Sequence, residues 1–160
     1  MFRRLTVPAL GALLLAGAVL TAQAAKPAAS PLVQAQLKGH WVCVLTGGTG
    51  GTFSEDWSPV FGGTWLRATD SAKGVTTAEH TLTFSKVDST WVVVDEFPNG
   101  KYDVLHGTGS GATKIAMHAV YPKLALAVTY TRLLPTKYAV DVNGNIQGKK
   151  LITRSVCTKR

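Results

Sequence analysis

The residues best suited to proton transfer or metal ligation in this 160-residue chain are its four histidines, His40, His80, His106 and His118. No two of them stand as His-x-His or His-x-x-x-His, so a metal site would have to be assembled by folding rather than by one strand or helix. The carboxylates include two adjacent pairs, Glu55 with Asp56 and Asp95 with Glu96. Neighbours on a strand point to opposite faces, so neither pair forms a dyad by itself. The glycine-rich stretches GGTGGT (Gly47 to Thr52) and GTGSG (Gly107 to Gly111) lack the following Gly-Lys-Ser/Thr and the strand-to-helix setting of a phosphate cradle. GTGSG also lacks the spacing of a nucleophile elbow. They read as hairpin loops. No catalytic or metal-ligating residue is assigned, and a binding module is favoured over an enzyme.

His80 shares strand parity with Leu82 and Phe84, and His106 with Tyr102 and Val104, whereas His118 alternates with Ile115 and Met117 and is expected to face solvent. If the aromatic and soft side chains on such faces all point inward, Trp65, His80, Phe84, Trp91, Tyr102, His106, Met117 and Tyr130 line one cavity. A lining that is mostly apolar with a few polar groups suits a small molecule.

What precedes these residues is an export signal in pattern. Arg3 and Arg4 form a short positive region, Val7 to Leu20 is apolar, and Ala22-Gln23-Ala24 supplies a small-x-small cleavage site. Residues 1–24 are expected to be a signal peptide and 25–36 a flexible Ala- and Pro-rich lead, with the domain spanning 37–160. Loss of Arg3 and Arg4 leaves 15 basic and 9 acidic residues. That balance suits an anionic envelope surface, but no basic-aromatic pattern points to specific nucleic-acid binding. Export, to the periplasm or beyond, also allows the two cysteines, Cys43 and Cys157, to form a disulfide.

The domain must position its candidate residues on strands. Val-, Thr- and aromatic-rich runs recur from His40 to Cys157, separated by turn residues at Gly62, Asp88, Asn99 and Asn143. Short links join antiparallel neighbours, so the expectation is an all-β antiparallel meander closing into a barrel of about eight to ten strands. With one cysteine in the first run and the other in the last, a bridge would pin the barrel's seam.

The stretch Gly39-His40-Trp41 at the entrance to the first strand resembles the Gly-x-Trp signature of lipocalins and the wider calycin group. WSPVFGGTWLR, FPNGKYDVLHGTGSG and YTR resemble an uncharacterised bacterial branch of lipocalin-like domains related to the haem-binding nitrobindins. Gly lets the chain bend beneath the barrel and Trp plugs its floor. The resemblance implies a basic side chain from a late strand against Trp41, with Arg132 and Arg154 as candidates, Arg132 favoured. It also implies an exported carrier of a small apolar or amphipathic ligand. Haem or metal binding on the nitrobindin pattern is the alternative, and an envelope interaction module with a filled barrel is the third reading.

Overall fold

The computed structural model describes residues 37–47, 50–109, 113–146 and 148–160. The expected signal peptide and lead, 1–24 and 25–36, lie outside the described residues. Ten strands follow in chain order: β1 (Gly39–Thr46), β2 (Gly51–Val60), β3 (Trp65–Ala72), β4 (Val75–Ser85), β5 (Thr90–Glu96), β6 (Tyr102–Thr108), β7 (Lys114–Tyr121), β8 (Ala125–Leu134), β9 (Lys137–Ile146) and β10 (Lys149–Lys159). Each pairs antiparallel with the next, and β1 pairs with β10, so the sheet closes into a barrel in meander order. Closure removes the unpaired edges that an open ten-stranded sheet would present.

The seam carries the disulfide. Cys43 and Cys157 are direct partners across β1 and β10, with Cα atoms 3.9 Å apart, and their sulfurs are bonded. Alternation then sorts the side chains, because residues two apart share a face. Trp41 and Cys43 on β1, Leu66 and Ala68 on β3, Trp91 and Val93 on β5, Ile115 and Met117 on β7, and Val128 and Tyr130 on β8 are all buried in the core.

Most turn signals lie where turns form, with one exception. A 3-10 turn at Phe61–Gly63 joins β2 to β3, residues 86–89 join β4 to β5, and Asn99 accepts a bond from the Lys101 amide in the β5–β6 hairpin. Asn143 and Gly144, expected to form a hairpin, instead run through the middle of β9 opposite Ala127 and Leu126. The glycine is there for contact, since a Cβ on Gly144 would sit 2.6 Å from the Ala125 carbonyl oxygen.

Because hairpins alternate between ends, the barrel has two distinct rims. The chain enters β1 and leaves β10 at one end, together with the β2–β3, β4–β5, β6–β7 and β8–β9 connections. Trp41, 1% exposed, closes this floor. The β1–β2, β3–β4, β5–β6, β7–β8 and β9–β10 connections form the opposite end, the mouth.

Candidate functional site

A polar cluster occupies one side of the barrel interior. Inward alternation on β2 to β5 delivers Glu55, Asp70, His80 and Asp95. Glu55 and Asp70 are cross-strand partners, as are His80 and Asp95. His80 is held between two carboxylates: Nε2 lies 3.1 Å from Asp70 Oδ2 and Nδ1 lies 2.7 Å from Asp95 Oδ1. Burial by itself would push this imidazole down in pKa. The hydrogen bonds and charges of Asp70 and Asp95 outweigh it and hold the ring well above its ordinary value. His80 is therefore an imidazolium with both N–H groups donating.

Glu55 behaves in the opposite sense. It is 5% exposed. Burial, then repulsion from Asp70, raises its pKa to about 7, although Tyr138 and Trp57 donate hydrogen bonds to it. The Trp57 indole nitrogen donates to Glu55 Oε2 at 2.8 Å, and the Tyr138 hydroxyl donates to the same oxygen. Tyr138 stays protonated because burial, followed by the nearby Glu55 charge, drives its own pKa well up. The cluster thus brings together the His80 imidazolium, the carboxyl groups of Asp70 and Asp95, and a Glu55 carboxyl whose pKa is lifted to about 7.

One acceptor in this cluster is unused. Asp70 Oδ1 is buried and has no hydrogen-bond partner among the described residues, which costs stability unless a donor reaches it. Asp70 is the cross-strand partner of Ala78, and Ala78 lines a cavity of about 450 Å³ at the mouth. Val75, Phe97 and Pro98 add apolar walls, while Thr76, Glu79 and Glu96 add polar ones. Glu79 and Glu96 stand directly opposite each other on β4 and β5, a like-charge pairing that is unfavourable by itself. Among the described residues neither is engaged in an ion pair.

The eight residues expected to line one cavity divide between the two faces. His80, Phe84, Trp91, Met117 and Tyr130 face inward, and Phe84 packs edge-on against Trp91 at 5.2 Å. Trp65, Tyr102 and His106 lie on the outer wall, opposite in parity to Leu66, Asp103 and Leu105. Tyr102 stacks on Tyr121 at 5.1 Å outside the barrel, and His106 is paired across the strands with His118. Period two tells which residues share a face but not which face is inner; for β6 the assignment follows from Leu105 and Gly107, both buried. None of the eight lines the mouth cavity.

The floor also differs in its basic partner. The cation over the Trp41 ring is neither Arg132 nor Arg154 but Lys159, whose Nζ lies 5.4 Å from the ring centroid. Arg154 is turned to the outer wall, where it pairs with Asp141 at 3.0 Å, and Arg132 sits on β8 across from Tyr138. Register is the reason: with Cys43 opposite Cys157, Trp41 falls opposite Lys159. Gly39 makes room for that arrangement, because its φ is +121° and a Cβ there would lie 2.9 Å from Lys159 Cε. The disulfide sulfurs lie close to Glu55, but bonded to each other they are not thiolate ligands.

Asp70 was not singled out by sequence, and Glu55 and Asp95 were weighed only as members of adjacent pairs that form no dyad by themselves. The available signal was parity: each alternates with buried apolar neighbours, Trp57, Ala68 and Val93, and a carboxylate on an inward face is costly enough to be informative. A scan against protein-family models matches no family, and a search of curated proteins finds no relative.

Proposed function

We propose that this protein is an exported, lipocalin-like binding protein, akin in architecture to the nitrobindin-related barrels, that holds a small amphipathic molecule at its mouth. The observation that supports this reading most directly is the 450 Å³ cavity bounded by Val75, Ala78, Phe97 and Pro98 with Glu79 and Glu96 at its wall. Its volume lies in the range of small-molecule sites, and its mixed lining would bury an apolar body while orienting a polar group. The charge pattern selects the kind of polar group. Two opposed glutamates, neither in an ion pair among the described residues, favour a cationic or donor-rich head, and Phe97 offers an aromatic surface beside it.

Haem is a weaker reading because His80, the inward histidine, has both ring nitrogens engaged by carboxylates. A metal-bound imidazole needs one nitrogen free as a ligand.

The test uses octyltrimethylammonium and octyl sulfate, two amphiphiles of equal chain length and opposite charge, titrated below their aggregation concentrations and followed by amide chemical shifts. The cation is expected to shift the amides of Val75, Ala78 and Phe97, and Glu96→Gln and Phe97→Ala are each expected to weaken it several-fold. Equal binding of both amphiphiles, or shifts confined to another part of the barrel, would overturn the assignment.

A further inference from the structure

We propose that the floor end of the barrel docks on an anionic lipid surface, leaving the mouth pointing away from the membrane. The proposal rests on which side chains the meander collects at that end. Phe61 on the β2–β3 turn is 75% exposed, Val87 on the β4–β5 turn 93% and Leu134 beside the β8–β9 turn 58%. Three separate hairpins thus each present a bare apolar side chain at the same rim. Phe61 does so from a positive φ of 48°, a conformation unusual for a bulky residue and one that has to be held by its surroundings.

The same rim is basic. Lys38, Lys86, Lys114, Lys137 and Arg160 belong to its connections or strand ends. Against them stand Asp88 and Asp56, and Asp56 is engaged by His40 at 2.7 Å. At the mouth Lys73, Lys101, Lys123, Lys149 and Lys150 are offset by Glu79, Glu96 and Asp103, whereas at the floor Asp88 alone stands outside an ion pair among the described residues, so the positive excess is larger at the floor.

Apolar tips set among basic side chains match the two attractions of an anionic bilayer, charge at the headgroups and burial of apolar groups at the acyl boundary. A second copy of this chain is a poor occupant, since two basic floors would repel. A protein partner would be expected to meet one continuous apolar patch, whereas these three side chains stand singly on separate hairpins. Individual tips can each enter a fluid interface.

The experiment is cosedimentation of the purified protein with vesicles of phosphatidylcholine alone or mixed with phosphatidylglycerol. Binding is expected on the anionic vesicles and is expected to fall with added salt. The combined variant Phe61→Ser, Val87→Ser and Leu134→Ser should lower the partition coefficient about tenfold or more. Val44→Ser with Ile152→Ser, exposed apolar positions on the outer wall, should leave it unchanged. Lys86→Glu with Lys137→Glu keeps the tips and should reduce binding to the anionic vesicles by a similar factor, which guards against a folding defect in the first variant. Failure of the parent to bind the anionic vesicles, or equal binding by the parent and the triple variant, would overturn the proposal. If the triple variant binds like the parent while retention on heparin follows the lysines, the floor is a general polyanion site rather than a lipid-docking surface.

Discussion

Replacing Glu55 with glutamine keeps the size of a buried side chain and an acceptor oxygen for Trp57 and Tyr138 while removing its titration. In the native fold this carboxyl has its pKa moved from 4.5 to about 7 by burial and by Asp70. Between those values the folded chain holds a proton that the unfolded chain has released, so stability falls as pH rises through the window. Ionisation of Glu55 therefore costs the fold about 3 kcal/mol once pH is well above 7, at about 1.4 kcal/mol per pH unit. His80 acts in the same direction but later: its folded pKa is raised above 6.5, so its contribution is intact below 6.5 and is lost as pH rises through the folded value. Over the interval from about pH 5 to 6.5, below the His80 transition, Glu55 is expected to contribute a loss of roughly 2 kcal/mol in the native protein, and Asp103, its carboxyl raised by burial and by Asp95, acts in the same direction. Urea unfolding of the disulfide-intact protein, followed by tryptophan fluorescence across this interval, measures it. The Glu55→Gln variant should lose about that much of the fall in stability across the interval and should exceed the native protein in relative stability as the pH rises. If the variant retains the native slope, Glu55 is not the titrating group and the account of the interior charges fails.

Reduction of the Cys43–Cys157 bridge, or its replacement by alanines, should lower stability by at most about 4.7 kcal/mol, the chain-entropy value for a loop of roughly 100 residues; an unchanged urea midpoint with and without reductant would contradict this. Lys159→Ala should cost about 0.5 to 2 kcal/mol through loss of the cation over Trp41, and Lys159→Arg should restore most of it. Arg154→Ala, which removes only an exposed ion pair, should cost less than about 1 kcal/mol by the same unfolding measurement.

The amino-acid sequence by itself determined the all-β class, the meander order and the pairing at the seam. These are properties of period and punctuation: β-rich runs separated by short turns can only join antiparallel neighbours, and cysteines in the first and last runs pair if those runs meet. Once Cys43 opposes Cys157, antiparallel counting also places Lys159 opposite Trp41, so this partner was present in the sequence but not drawn from it. Asn143-Gly144 shows the limit of local reading. The dipeptide carries a hairpin signal, yet the close approach of the Ala125 carbonyl to Gly144 supplies a different reason for the glycine, one that depends on a neighbouring strand.

Tertiary structure alone decided which face of each strand is inner and what the inward polar residues meet. Tyr102 and His106 share a face in any strand, but only packing of Leu105 and Gly107 into the barrel places them outside. His80 falls between Asp70 and Asp95 because β3, β4 and β5 adopt one particular register. Glu55 acquires a pKa of about 7 because that register also sets it beside Asp70 in a desolvated interior. Charge and desolvation act over a few ångströms between residues as far as 83 positions apart in the chain, as Glu55 and Tyr138 are, and no pattern confined to a single strand contains those distances.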